Sequence, residues 1–158
     1  MIKNVSIALV AAMLVALASN ASPAQAKTGN VQLSNSVLVQ QKSAAADGTT
    51  RVTLVPAKRV VPGDHVVFRI AYKNLVGQPV SGMVVSNPVP PNLVYRGPAE
   101  GSPAPQVSVD GTHFAPMSAL SVGGRPVQPD QIRAVRWQID AAVPANGSGQ
   151  YSYEATIK

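Results

Sequence analysis

Apolar and polar residues alternate with a period of two over several stretches of the chain, and nothing after residue 26 sustains a helical period. From His65 to Lys73, Val66, Phe68, Ile70 and Tyr72 fall on one side, and His65, Val67, Arg69, Ala71 and Lys73 on the other. Nine residues of this alternation predict a strand with one face on a core. Tyr151, Tyr153, Ala155 and Ile157 repeat the pattern near the C-terminal end, and Val135, Trp137 and Ile139 share one parity within Val135–Asp140. Shorter β-rich stretches lie at Val31–Val39, Arg51–Val55, Val80–Ser86, Leu93–Arg96 and Val107–Val109. Turn signals separate them: Asp47-Gly48, Pro62-Gly63-Asp64, Asn74–Pro79, Asn87-Pro88, Pro90-Pro91-Asn92, Asp110-Gly111 and Asn146–Gly149. Gly97–Pro105 and Gly123–Pro129 read as surface loops, and Phe114–Leu120 as one helical turn or an irregular crossing. About eight short strands cut by Pro/Gly turns predict an all-β sandwich. The 14 prolines fit, since proline belongs at strand ends and edges.

Residues 1–26 follow a different rule. Lys3 gives a positive start, Val5–Ala18 is an apolar run broken only by Ser6, and Ala24-Gln25-Ala26 offers a small-x-small exit. That order is a secretory signal peptide cleaved after Ala26. The run of 14 residues falls short of the about 20 that a bilayer-spanning helix needs. No later segment is apolar enough to span, so no transmembrane segment is expected after cleavage. The expected mature chain has 158 − 26 = 132 residues, enough for one domain with its own core. Within it, 27–57 reads as N-terminal strands packing on the sandwich and 58–158 as the main domain.

Composition narrows the chemistry. The chain has no cysteine, so an exported form carries no disulfides and relies on packing. The mature part has 12 Lys+Arg (13 less Lys3) against 7 Asp+Glu, a net charge of +5. The charges are scattered, with Lys58-Arg59 the longest basic cluster, and no basic-aromatic platform for nucleic acid is evident. Such a balance favours at most weak attraction to anionic envelope surfaces. Only His65 and His113 could serve as nitrogen ligands, and neither has metal-site spacing. Asp47-Gly48 and Asp110-Gly111 do not continue into a calcium loop. There is no Gly-x-Ser-x-Gly elbow, and phosphate and dinucleotide fingerprints are absent. Asp110, Asp130 and Asp140 adjoin turn signals, where aspartate is ordinarily structural. The sequence therefore predicts no catalytic residue, no metal and no cofactor. Trp137 reads as core.

Val61-Pro62-Gly63-Asp64, the alternating strand to Tyr72-Lys73-Asn74, and Ser86-Asn87-Pro88-Val89-Pro90 resemble the bacterial conserved-repeat domain family, domain of unknown function eleven. Ser108-Val109-Asp110-Gly111, Arg136-Trp137 and the small-residue turn before Tyr151-Ser152-Tyr153 continue the similarity. It covers about 58–158, in a single copy. The resemblance implies an immunoglobulin-like β-sandwich of about 7–9 strands on an exported or surface protein, and no reaction. Pro62, Gly63, Asp64, Asn74, Asn87, Pro88, Pro90, Asp110, Gly111 and Trp137 are the structural motif positions; Asn87 stands where the family commonly has Asp.

These readings together predict an exported, non-catalytic binding or structural module of the bacterial envelope, in the periplasm or at the cell surface. Its partner would be another envelope or surface protein. Loops carrying Gly97, Glu100 and Arg125, or a sheet edge, would make the contact. The alternative is a small envelope carbohydrate binder or hydrolase with an unrecognised site. Export has a direct test. Intact-mass analysis of the envelope fraction should find Lys27 as the N-terminus, and an envelope-located protein retaining residues 1–26 would contradict the reading.

Overall fold

The computed structural model describes residues 27–28 and 31–158; the expected signal peptide, with Ala24 and Ala26, lies outside them. The strands are β1 (Lys27–Thr28), β2 (Val31–Ala44), β3 (Thr50–Pro56), β4 (His65–Asn74), β5 (Met83–Pro88), β6 (Leu93–Pro98), β7 (Gln106–Ser108), β8 (Ser121–Val122), β9 (Arg125–Pro126), β10 (Ala134–Ile139) and β11 (Ser148–Ile157). Setting aside the two-residue β1, β8 and β9 leaves eight, within the expected number. Among the described residues the helical elements are two 3-10 turns, Met117–Ala119 and Pro129–Gln131, and no helix there is long and apolar enough to cross a membrane.

Two antiparallel sheets form an all-β sandwich. The larger has the order β1-β2-β4-β11-β6, with β3 also paired to β2; the smaller has the order β5-β10-β7. The C-terminal strand β11 thus runs between β4 and β6, inside the larger sheet. Constant-type immunoglobulin domains place their last strand at the edge of the smaller sheet. The two-layer architecture here is as expected, with its own threading of the strands.

Period two decides which side chains meet. β5 alternates strictly, with Met83, Val85 and Asn87 buried and Val84, Ser86 and Pro88 exposed. It faces Val66, Ile70, Tyr153 and Ala155 of the larger sheet in one core cluster, together with Val135, Trp137 and Ile139 from β10. The strand expected at Val80–Ser86 begins instead at Met83. Gly82 breaks it with φ +67°, and Val80 makes an isolated bridge to Val143.

Six of the chain's seven aromatic side chains join into one column between the sheets. Tyr153, with 0% exposure, stacks on Phe68 at 5.1 Å between ring centroids and 7° between planes. Tyr95 and Trp137 lie tilted around it at 5.9 and 6.5 Å. Trp137 stacks in turn on Tyr151 at 5.2 Å, and Tyr151 meets Tyr72. Tyr72 lies across Gly149, its partner on β11, and a Cβ at Gly149 would collide with that ring. Burial pushes the hydroxyls of Tyr95 and Tyr153 up to about 12, because the phenolate would lose its hydration between the sheets. The seventh ring, Phe114, carries the Arg136 guanidinium 4.2 Å above its centroid.

Trp137 also has a polar duty, since its Nε1–H donates to the Pro103 carbonyl at 2.8 Å. Trp137→Ala should therefore destabilise the fold by about 3–5 kcal/mol, the usual range for deleting a buried large aromatic. Chemical denaturation measures this. A loss below about 1 kcal/mol, or iodide quenching of native tryptophan emission, would contradict the column.

Candidate functional site

Several of the positions singled out in the sequence lie where strands end or where the two sheets are tied together. At Pro62-Gly63-Asp64 the backbone turns with Gly63 at φ +94°, and the Asp64 carboxylate accepts from the Val61 amide at 2.9 Å. The Gly63 amide donates to the Ile157 carbonyl, and the Ile157 amide donates to the Asp64 carbonyl, which fastens the turn to the end of β11. Asn74 is fully buried. Its Nδ2 lies within hydrogen-bond distance of the carbonyls of Gln78, Val143 and Pro144, and its Oδ1 accepts from the Val76 amide. It ties the end of β4 to the β10–β11 turn. Pro88 ends β5, and the Pro90 carbonyl accepts from the Leu93 amide in the turn that opens β6.

Asn87 links the sheets. Its Nδ2 donates to the Tyr153 hydroxyl at 3.1 Å and to the Pro88 carbonyl, while its Oδ1 accepts from Asn35 Nδ2 of β2. An ionised aspartate could make neither donation. Asparagine is therefore the residue this buried joint uses.

Asp110 and Gly111 make the expected tight turn. Asp110 Oδ1 accepts from the amides of His113 and Thr112 and from Ser108 Oγ, and its Oδ2 meets His113 Nδ1 at 2.6 Å. The His113 amide and then its ring hold this exposed carboxyl well below the usual carboxylate range. Both side chains are committed to the turn. His65 lies at the start of β4, and among the described residues no three His, Asp or Glu side chains cluster as metal ligands.

The two candidate loops differ from the sequence reading. Gly97 and Pro98 belong to β6, and Ala99 and Pro105 are buried. The Ala99 amide donates to the Ser152 carbonyl, Ser102 Oγ accepts from the Ser152 amide, and the Pro103 carbonyl holds Trp137. Residues 99–105 are thus a pinned crossover between the two sheets, and cutting them would cost stability. Arg125 sits in the separate β8–β9 hairpin, closed by Gly123-Gly124 and anchored beyond it by buried Val127. Glu100 and Arg125 are both exposed; Glu100 lines a groove on the larger sheet and Arg125 does not.

That groove is a feature the sequence reading missed. β2 pairs with β4 through Val39, and beyond that point pairs with β3 alone. The β2–β3 ribbon therefore continues without a third strand. At its base Leu38 packs with Val67 and Ala99 in a small cluster on the outer face of the larger sheet. Beside this cluster lies a groove of about 390 Å³. Val52 and Leu54 of the ribbon form one wall and residues 99–101 another, with Arg69, Ser152 and Glu154 among its other lining residues. Arg69 Nε is buried there with no hydrogen-bond partner. Val52 is 52% exposed and Leu54 39%.

The ribbon also leaves an edge. Among the described residues β3 pairs only with β2, and every β3 residue except half-buried Val55 is exposed. An edge strand of this length normally carries lysines, bulges or interior proline against unwanted pairing. Its sequence, TRVTLVP, has one charge and a terminal proline.

No protein-family model, no curated protein and no solved structure matches this chain.

Proposed function

We propose that this chain is an exported, non-catalytic binding module of the bacterial cell envelope, and that the β3 edge with its adjoining groove holds an extended segment of another envelope protein. The open, apolar and nearly uncharged edge of β3 carries the reading. An added strand would satisfy its unpaired backbone groups, and alternate side chains of that strand would reach Val52 and Leu54. The orphaned Arg69 Nε–H would donate to a carbonyl or carboxylate of the bound segment. Export rests on the pattern of residues 1–26.

One observation favours a second reading. Arg69, Glu100, Glu154 and Ser152 share a concave groove, the kind of polar cluster a small carbohydrate binder or hydrolase would use. No aromatic ring lines that groove, however, and six of the seven rings are spent in the core. A sugar would find no stacking face there.

A photo-crosslinking residue at Thr53 in living cells separates the two. The expected result is a discrete adduct with another envelope protein, lost in Val52→Lys/Leu54→Lys. Both positions are exposed, so that variant should keep stability within about 0.5 kcal/mol per site. Absence of any adduct, or turnover of a glycan or peptide by the purified protein, would overturn the proposal.

A further inference from the structure

A second surface, adjoining the groove at Gln40, combines apolar clefts with the chain's longest basic cluster. Lys58 and Arg59 line two clefts at once. One, of about 300 Å³, opens onto the core between Val37, Phe68, Leu93 and Ile157. The other, of about 620 Å³, lies beside Val39, Val55 and Pro56. Both volumes fall within the roughly 300–1,000 Å³ of ordinary small-ligand sites. Val60 and Val61 follow directly in sequence and are 39% and 49% exposed, two neighbouring large apolar side chains in water beside the clefts.

The charge around these clefts is one-sided. Asp64 is the single acidic residue lining either of them, and its Oδ2 already accepts from the Val61 amide. Lys58 and Arg59 have no acidic partner within ion-pair distance among the described residues. Lys158 adds a cation next to Ile157, its Nζ donating to the Pro91 carbonyl.

We infer that this patch docks onto the anionic phospholipid surface of an envelope membrane. Lys58 and Arg59 would meet headgroup phosphates, while Val60, Val61 and the apolar clefts would take up acyl-chain surface. The ligand must supply negative charge and hydrocarbon together. A purely acidic peptide supplies the first without the second. A second copy of this chain would bring its own cations against these. Basic residues beside exposed apolar ones are how peripheral proteins hold anionic bilayers, by electrostatic attraction plus shallow apolar burial. The larger cleft adjoins the strand-edge groove through Gln40 and the end of β3, but Lys58, Arg59, Val60 and Val61 line no part of that groove, so the inference does not depend on the strand-edge reading.

The test is vesicle binding by the full chain, purified as its bacterial host processes it. Phosphatidylglycerol-containing vesicles should bind it at least tenfold more tightly than pure phosphatidylcholine, and added salt should weaken the binding. Lys58→Glu/Arg59→Glu should lose at least tenfold. Lys73→Glu/Arg125→Glu, an equal change in net charge at exposed positions elsewhere, should lose less than threefold. Because the chain has no cysteine, Val61→Cys carries a unique environment-sensitive dye. Its emission should shift to the blue with anionic vesicles, and the same dye at exposed Val84 on the smaller sheet should not respond. The dye result stands even if the charge reversal fails to fold. Equal binding to both vesicle types, equal losses in the two double variants, or a silent dye at position 61 would overturn the inference.

Discussion

The ring of Tyr153 is the point on which the sandwich closes. It has no exposed surface, lies flat on Phe68, and is flanked by Tyr95 from β6 and Trp137 from the opposite sheet. Its hydroxyl accepts from Asn87, which in turn reaches Asn35 on β2. One residue therefore touches both layers by stacking and by a buried hydrogen bond. A chain without disulfides has no covalent substitute for that contact. Concentrating six of seven rings here gives a small domain a large buried apolar area at one place. It also explains why the groove beside β3 is lined by no aromatic ring.

The rest of the architecture serves that column. Asn74 and the Pro62-Gly63-Asp64 turn fix the two ends of β4 against the β10–β11 turn and the end of β11, so Phe68 and Ile70 arrive in register with Tyr153 and Tyr151. Gly149 makes room for Tyr72, which continues the column toward Tyr151. The crossover 99–105 holds Trp137 by its indole N–H and β11 by the Ser152 amide. The β2–β3 ribbon shares none of these ties beyond Val39, and its apolar side chains Val52 and Leu54 stay exposed. Rigidity at the column and an unpaired edge on the ribbon are two sides of one distribution of contacts.

β4, β10 and β11 were legible in the sequence because each sets one apolar, period-two face on the core, even though Val67 of β4 and Ser152 of β11 are buried on the other face as well. The full length of β2 was not. Gln40, Gln41 and Ser43 have no core to face, and a two-stranded ribbon imposes no apolar period. The crossover 99–105 read as a free loop because its anchors are a proline carbonyl and a serine hydroxyl, which leave no pattern in composition. Asn87 was visible as a motif position, while its role needed Tyr153 and Asn35, which lie 66 and 52 residues away. The groove combines ribbon, β4, crossover and β11, four segments that meet only in the folded chain. Lys58-Arg59 stood out as a basic pair, but the apolar clefts beside it are a property of packing.

Native-state hydrogen exchange tests this division of the molecule most directly. Amides of β4, β10 and β11 around Phe68, Trp137 and Tyr153 should exchange only through global unfolding, while those of Val52, Thr53 and Leu54 should exchange far faster through local opening. Protection of the ribbon amides equal to that of the column would contradict the account, because it would place the β3 edge inside the cooperative core and remove its availability to a partner.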